Sequence, residues 1–242
     1  MILQFDMGNT RTKWRLQGDG STIVRGELEA STDFASLSSR LSAFKVDEVW
    51  VVSVVAPSRN DALSIWAQKS FGVLPRFAYS SAEFGAVKNG YSIPQRLGVD
   101  RWLAILAAFK YVRGACIVVD CGSAITVDLL EADGVHLGGY IVPGLLQMQR
   151  SLALNTYAVD IAGSLSGVSP GRDTKSAVLA GQAAMVMGLI HQAKAELVKA
   201  DAAPELILTG GDSRWLTQAF PGARFIPDLV FDGLELVFTI NP

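Results

Sequence analysis

Two aspartates, each at the end of an apolar run, have the surroundings of a phosphate-binding site. Asp6 precedes Gly8 in "ILQFDMGNTRTK", and Asp120 precedes Gly122 in "CIVVDCGSAIT". In both places Asp-x-Gly predicts a turn between two strands, where glycine lets the backbone approach an anion and successive N–H groups point at its oxygens. A carboxylate beside a polyphosphate is repelled unless a cation lies between them. Each aspartate therefore also predicts a metal ion.

The two hairpins form a weak internal repeat at half the chain length. Either hairpin alone is typical of ordinary turn chemistry, in which Gly and Asn are common. Together they predict two related α/β halves that each open with a strand–turn–strand unit. Facing hairpins could hold one polyphosphate from both sides, and Lys13 would add a positive charge on the strand leaving the first turn. No Walker A loop or GxGxxG turn is present, so P-loop and Rossmann sites are disfavoured.

A glycine pair follows a third apolar run, in "LILTGGDSRW". Gly210 and Gly211 could let a ribose or an adenine lie flat on the backbone, or they could serve only as a strand-to-helix turn. Asp212 or Ser213 is expected to be the N-cap of the helix that follows.

An acid opens the predicted helix in "NGYSIPQRLGVDRWLAILAAF". Asp100 could be a simple N-cap, a role that Asp often fills. The helix dipole and Arg101 both favour its ionised form. An ionised carboxylate can accept the proton of an alcohol that attacks a phosphoryl group, because that proton leaves late in a loose transition state. Arg101 could pair with a carboxylate or phosphate of the acceptor.

Composition restricts the class of protein. Of the 242 residues, 50% are hydrophobic and 18% are charged, which predicts a folded chain with a large core. A net charge of −2 argues against a general nucleic-acid or membrane surface. The two cysteines and two isolated histidines are too few for a disulfide framework or a zinc site. Without a signal-peptide pattern or a membrane span, we expect a soluble cytoplasmic protein.

Hydrophobic periodicity predicts an alternation of strands and helices. The predicted strands are 2–5, 13–17, 21–27, 48–55, 116–120, 126–131, 138–142, 205–208 and 224–226. The predicted helices are 33–43, 58–70, 100–112, 145–155 and 174–199, and the type of the closing segment is left open. The new set of strands after Gly114 predicts a division into halves 1–113 and 114–242.

In this order the motifs resemble those of the type III pantothenate kinases, members of the acetate kinase, sugar kinase, Hsp70 and actin superfamily. "DMGNTRTK" and "DCGSAITVD" are similar to the two phosphate motifs, and "GYSIPQRLGVDRW" to the pantothenate motif. "TGGD" is similar to the adenosine-side glycine pair, and "SVVAPS", "GGYIVPG" and "GRDTKSAVLAG" to further family segments. The resemblance implies an α/β fold of two ribonuclease H-like (actin-like ATPase) halves, with mixed sheets flanked by helices and an interdomain cleft.

The resemblance also implies a reaction and its residues. ATP would phosphorylate the primary hydroxyl of pantothenate to give 4'-phosphopantothenate, the first step of coenzyme A biosynthesis, with Asp100 as general base. The residues implied to hold pantothenate are Tyr91, Gly98, Val99, Asp100, Arg101 and Thr174. Those implied to bind ATP are Asp6, Met7, Gly8, Asn9, Thr10, Arg11, Thr12, Lys13, Ser123, Gly210 and Gly211. Mg²⁺ would accompany ATP near Asp6, through water, and Asp120 would hold a monovalent cation, K⁺ or NH₄⁺. A homodimer is implied, in which Thr174 could reach a neighbour's site.

One residue departs from the family pattern, and two alternative functions stay open. Position 123 is Ser where the family usually has Thr, a change expected to alter nucleotide affinity more than mechanism. A kinase of the same superfamily could use a sugar or a small acid, against which only the segment 91–101 argues. A non-catalytic relative could act as an accessory factor in gene regulation, against which the intact acids argue. Tyr91 could also be an ordinary half-buried aromatic, and Thr174 an N-cap or first-turn residue.

Overall fold

The computed structural model describes residues 1–155, 168–198 and 203–240. They fall into two compact units. The first comprises Met1–Ser81, Ile93–Ala104 and the segment that begins at Val230. The second comprises Ala82–Ser92 and the described residues of Ile105–Leu229. The division at residue 113/114 stays a prediction.

The first unit contains a five-stranded mixed sheet in the order β3-β2-β1-β4-β5. Its strands are β1 (Ile2–Met7), β2 (Arg11–Gly18), β3 (Ser21–Glu29), β4 (Glu48–Ser53) and β5 (Arg76–Phe77). β1 pairs antiparallel with β2 and parallel with β4. The helices of this part of the chain are α1 (Ser38–Leu41), α2 (Pro57–Phe71), α3 (Val99–Val112) and, near the C-terminus, α7 (Leu229–Ile240). α3 begins in the first unit and ends in the second.

The second unit contains a sheet of the same design, in the order β10-β9-β8-β11-β12. Its strands are β8 (Cys116–Cys121), β9 (Ala124–Leu130), β10 (His136–Pro143), β11 (Glu205–Thr209) and β12 (Arg224–Phe225). A two-stranded ribbon is formed by β6 (Glu83–Phe84) and β7 (Val87–Lys88). The helices are α4 (Leu145–Asn155), α5 (Thr174–Val198) and α6 (Leu216–Ala219).

The two sheets confirm the repeat that the hairpins predicted. Each has three antiparallel strands followed by two parallel ones, in the same order. β1 and β8 are both six residues long, and Asp6 and Asp120 are each the fifth residue. The predicted α/β class with two related halves is therefore correct.

Each unit has its own hydrophobic core. In the first, Phe5 of β1 packs edge-on against Phe34 and Trp66, with ring centroids 6.0 and 6.1 Å away. In the second, Val119 and Val127 of the sheet pack with Ile190 of α5, all three fully buried. Burying one such side chain contributes about 1.5–3 kcal/mol, so each sheet is held by the helices on it.

One predicted element differs from the structure, and four elements were left open or not predicted. The predicted helix 33–43 is a 3₁₀ turn, Phe34–Leu37, followed by the single turn α1. Asp33 ends the preceding extended segment there by accepting a 3.0 Å hydrogen bond from the N–H of Ala35. The closing segment is the helix α7, in which Gly233 lies so close to Leu103 that a Cβ would be 2.1 Å from its carbonyl oxygen. The two-residue strands β5, β6 and β7 are too short to show periodicity.

Among the described residues, no helix combines the length and the apolar character needed to cross a bilayer.

Candidate active site

The first hairpin places Asp6 and Lys13 on one face of the sheet. They are directly opposed in the β1–β2 register, so their side chains project to the same side. The N–H of Gly8 donates to the carbonyl of Arg11 at 3.0 Å, which leaves Asn9 and the following threonine as the turn. A carboxylate and an ammonium group therefore lie side by side, next to a turn with an exposed tip.

Not all side chains of this hairpin can reach a ligand. Met7 and Thr12, also directly opposed, are 0% and 1% exposed and belong to the core face. The guanidinium of Arg11 lies 3.4 Å from Glu27 and 3.9 Å from Glu29, across β2 and β3. Only the backbone of the two buried residues is available to a nucleotide, and the charge of Arg11 is partly balanced by β3.

The second hairpin has a tighter turn than the first. The N–H of Gly122 donates to the carbonyl of Ala124 at 2.9 Å, so that only Ser123 lies between them. Ser123 is exposed, and its carbonyl accepts the N–H of Gly144 at 3.0 Å, where α4 begins. A Cβ on Gly144 would be 2.4 Å from the carbonyl oxygen of Gly122. The start of α4 thus rests directly on the turn that carries the Ser123 hydroxyl.

Gly210 packs against the end of β8. A Cβ there would be 2.3 Å from Oδ1 of Asp120 and 2.4 Å from the carbonyl oxygen of Cys121, and its φ of +84° is in the left-handed region. Only glycine adopts this φ readily and has no Cβ that would clash with the two oxygens. Two oxygens therefore converge beside Gly210, at the carboxyl ends of β8 and β11, with Gly211 exposed next to them.

The predicted N-cap after this glycine pair is wrong. Gly211–Ser213 is a 3₁₀ turn, and α6 starts at Leu216 with no side-chain cap. The Ser213 hydroxyl instead donates to the carbonyl of Gly210 at 2.8 Å, which closes the turn under the glycine pair.

Asp100 is the second residue of α3 and not its N-cap. Gly98 occupies the cap position, because its carbonyl accepts the N–H of Trp102 at 3.0 Å. Oδ1 of Asp100 accepts the N–H of Arg101 at 2.8 Å and would lie 2.6 Å from a Cβ on Gly98. The carboxylate is therefore held in the first turn, folded back over Gly98, and Arg101 is 6% exposed.

A polar cavity of about 290 Å³ lies beside Gly98 and Val99 in the first unit. Its wall includes Ser53, whose hydroxyl donates to Oδ1 of Asn60 at 2.6 Å, and Ser80, whose hydroxyl donates to the carbonyl of Leu97 at 2.8 Å. The prediction did not include Asn60 or Ser80, because nothing in their local sequence indicates chemistry. The segment "SVVAPS" was the only signal for Ser53.

Tyr91 belongs to the second unit, whereas Gly98 to Arg101 belong to the first. Tyr91 is half-buried, its N–H donates to Oδ1 of Asn89 at 3.0 Å, and its ring lies parallel to that of His136. The pantothenate motif is thus divided between the two compact units.

Thr174 is the exposed first residue of α5. The N-cap is Asp173, whose Oδ1 accepts the N–H of Ser176 at 2.9 Å. Hydrogen bonds from the backbone and side chain of Ser176 lower the pKa of the Asp173 carboxyl. Thr174 is therefore a first-turn residue whose hydroxyl is not used as a cap.

The described part of the chain contains no group of three or more His, Cys, Asp or Glu that could hold a metal ion by itself. Mg²⁺ in phosphate-transfer sites needs only one or two carboxylates, because phosphate oxygens and waters supply the other ligands. Asp6 beside the first turn has this chemistry. The convergence of the Asp120 carboxylate and the Cys121 carbonyl beside Gly210 gives oxygen ligands that suit a monovalent cation.

The family model described as type III pantothenate kinase matches residues 2–196. A type III pantothenate kinase from Pseudomonas putida (strain W619) is 38% identical over 252 residues, which cover 100% of both proteins. One from Pseudomonas aeruginosa (strain LESB58) is 37% identical over 250 residues, with the same coverage.

Solved structures show the same fold. A Campylobacter jejuni protein ascribed to the Baf family of transcriptional activators has a TM-score of 0.64 and 22% identity, covering 99% of this chain and 98% of that one. MreB5 of Spiroplasma citri bound to ADP has a TM-score of 0.52 and 12% identity, covering 99% and 96%. At these identities the similarity shows the fold alone.

Proposed function

The chain belongs to the type III pantothenate kinase family, and on this premise we propose that Asp100 is the general base of its reaction. The protein is a kinase that phosphorylates pantothenate with ATP, in the pathway to coenzyme A. The product is 4'-phosphopantothenate. The observation that carries the assignment of the base is the Asp100 carboxylate, held at the start of α3 by the N–H of Arg101 at 2.8 Å.

In the proposed reaction the primary hydroxyl of pantothenate attacks the γ-phosphorus of ATP. A new O–P bond forms, the bond from the γ-phosphorus to the β–γ bridging oxygen breaks, and ADP leaves. The hydroxyl proton passes to Asp100. A carboxylate is a weak base, but in a loose transition state the proton leaves late, so orientation contributes more than basicity. The N–H of Arg101 and the close contact with Gly98 supply that orientation.

The ATP phosphates are proposed to bind to the backbone of both hairpin turns. In the first, Asn9 and Thr10 offer N–H groups and a hydroxyl, Gly8 lets the backbone come close to the anion, and Lys13 offers a charge beside Asp6. In the second, Ser123 replaces the usual threonine and keeps the hydroxyl. Gly210 and Gly211 would lie under the adenosine. The buried Met7 and Thr12 would contribute through their backbone, and Arg11 through its exposed guanidinium.

Two cations are proposed: Mg²⁺, as the divalent metal that accompanies ATP in kinases, and a monovalent cation. Mg²⁺ would be held by ATP oxygens and, through water, by Asp6. K⁺ or NH₄⁺ would be held by the Asp120 carboxylate and the Cys121 carbonyl. When bound, these ions would neutralise the phosphate charge that would otherwise repel both aspartates.

Pantothenate is proposed to bind to Tyr91, to Gly98, Val99 and Arg101, and to Thr174. Its carboxylate needs a cationic partner, and Arg101 is the guanidinium next to the base. The polar cavity beside Gly98 and Val99 offers hydroxyl and amide groups for the rest of the molecule.

A homodimer is proposed to form through the outer face of α4 and α5. A groove of about 670 Å³ between these helices is lined mainly by apolar side chains. No charged residue occurs between Lys175 and His191, and Met185 and Leu152 are 44% and 40% exposed. A second copy would cover this surface and bring Thr174, at the start of α5, close to the interface. The use of ATP supports a cytoplasmic location.

The experiment that tests this proposal is an acceptor-dependent assay of ADP release with Mg-ATP. Pantothenate, a hexose and acetate are each supplied in potassium, ammonium and sodium buffers. We expect turnover with pantothenate only, and faster turnover with potassium or ammonium than with sodium. Turnover with a hexose or acetate, but not with pantothenate, would assign a different acceptor. Sedimentation velocity of the wild type and of Met185→Glu tests the dimer, which the substitution should dissociate.

A further inference from the structure

Four consecutive backbone N–H groups hold the segment that carries Tyr91. The N–H of Lys88 donates to the carbonyl of Gly134, and that of Asn89 to the carbonyl of Ala82, both at 2.9 Å. The N–H of Tyr91 donates to the side chain of Asn89. The remaining N–H, that of Gly90, donates to Nδ1 of His136 at 3.4 Å. This histidine is therefore a side chain of the main sheet that holds the segment next to Tyr91.

His136 is itself fixed by a buried acid. Its Nε2 lies 2.9 Å from Oδ1 of Asp128, and the two side chains are 0% and 2% exposed. Nδ1 accepts the N–H of Gly90 with its lone pair, so in the neutral ring the hydrogen is on Nε2. Nε2 then donates that hydrogen to Asp128. Asp128 on β9 thus selects the one tautomer of His136 that can bind the Tyr91 segment.

The backbone packing confirms how closely this segment approaches β10. A Cβ on Gly90 would be 1.8 Å from the carbonyl oxygen of His136, so only glycine fits there. The Tyr91 ring stacks on the His136 ring at a centroid distance of 6.2 Å and an interplanar angle of 11°. One imidazole therefore contacts both the backbone before Tyr91 and the face of its ring.

We propose that His136, with its tautomer set by Asp128, is a positioning residue for the acceptor that acts through Tyr91. The inference rests on the proposed function, because it assumes that Tyr91 binds pantothenate. His136 takes no part in proton or phosphoryl transfer. Its effect is expected on the binding of pantothenate and not on the chemical step or on ATP.

The test uses two substitutions to distinguish the hydrogen bond made by Nδ1 from the one made by Nε2. In His136→Gln the amide nitrogen can replace Nε2 and donate to Asp128, but the acceptor for Gly90 is lost. In His136→Asn the side-chain oxygen can replace Nδ1 and keep that acceptor. We expect His136→Gln to raise the KM for pantothenate about tenfold, as the loss of one hydrogen bond would, with kcat and the KM for ATP within about twofold. His136→Asn should recover part of the loss.

The second histidine of the chain provides a matched control. His191 is exposed on α5, and His191→Gln should leave all three constants unchanged. A double-mutant cycle with Tyr91→Ala tests the route of the effect. If His136 acts through Tyr91, the KM for pantothenate of the double variant equals that of Tyr91→Ala. Additive effects, or an unchanged KM in folded His136→Gln, would overturn the proposal.

A spectroscopic measurement tests the tautomer without any turnover. With two histidines in the chain, a long-range ¹H–¹⁵N correlation spectrum of His191→Gln shows the His136 ring alone. We expect the hydrogen on Nε2, and a hydrogen on Nδ1 would refute the assignment. Wild-type protein that fails to phosphorylate pantothenate would refute the proposed function, whereas normal turnover with an unchanged KM in His136→Gln would refute only the positioning role.

Discussion

Gly98→Ala is expected to displace the proposed base while leaving the fold intact. The φ of Gly98 lies outside the left-handed region, so alanine can adopt its backbone conformation. The new Cβ would, however, lie 2.6 Å from Oδ1 of Asp100. The atom that must give way is the end of a side chain and not backbone, which makes the perturbation local.

The size of the displacement follows from the contact distance. Ordinary Cβ contacts begin at 3.4 Å, so the carboxylate oxygen must move by roughly 0.8 Å or rotate away. Either movement weakens the 2.8 Å hydrogen bond from the N–H of Arg101. A misplacement of about 1 Å can cost about 100-fold in rate, or about 2.7 kcal/mol in the activation barrier. Replacing glycine by alanine at an N-cap costs about 1 kcal/mol in the free energy of unfolding.

The assay is ADP release with both substrates at saturating concentration, so that an increase in KM does not lower the measured rate. We expect kcat to fall about 100-fold, with the thermal unfolding temperature lowered by a few degrees. Gly222→Ala is the matched control, because no atom lies within 4 Å of its Cβ position. A kcat for folded Gly98→Ala within about threefold of the wild type would refute the placement of Asp100 as the base.

Three further predictions concern stability and thiol reactivity. Gly210→Ala should lower the free energy of unfolding by about 2 kcal/mol or more and abolish activation by potassium, because its φ is +84° and its Cβ would meet a carboxylate oxygen at 2.3 Å. Glu235→Gln should cost about 1–2 kcal/mol in urea unfolding, since it removes a 2.8 Å ion pair from the buried guanidinium of Arg15 while its own side chain is 36% exposed. Cys116 and Cys121 should not react with a disulfide reagent at pH 8, because burial raises the pKa of both thiols, that of Cys116 to about 12.

Each of these predictions has a control. For Gly210→Ala the control is Gly211→Ala, because no atom lies within 4 Å of its new Cβ. If the two variants had the same free energy of unfolding, the close packing of Gly210 against the end of β8 would be contradicted. Glu27→Gln breaks an exposed pair and should change the free energy of unfolding by less than about 1 kcal/mol, so a cost equal to that of Glu235→Gln would be inconsistent with a buried network. Both thiols should react in denaturant, and reaction at the same rate in the native protein would exclude their burial.

Local patterns were sufficient to predict the repeat and its acids. Asp6 and Asp120 lie near the ends of β1 and β8, the central strands of their sheets. A central strand is buried on both faces, so its sequence is a continuous apolar run that can be recognised without the structure. α4 was predicted with the bounds Leu145–Asn155 that it has. The sequence also placed Asp100 in the first turn of its helix, although the cap itself is Gly98.

Contacts between distant segments could not be predicted. Gly90 and His136 meet only because β10 passes beside the Tyr91 segment, and neither residue has a local signature. Asn60 and Ser80 reach the cavity beside Gly98 from separate elements. The apolar and β-branched residues of α7 are equally compatible with a strand, and packing of Gly233 on α3 is what favours the helix.

The most direct test of the account is the product formed by wild type and by Asp100→Asn from Mg-ATP and pantothenate, measured by ³¹P NMR. The wild type should produce a phosphate monoester on the primary hydroxyl of pantothenate together with ADP. Asp100→Asn should fold and bind ATP but lose most of that product, because the amide cannot accept the hydroxyl proton. Product formation by Asp100→Asn at a rate close to that of the wild type would contradict the role of Asp100 as the base.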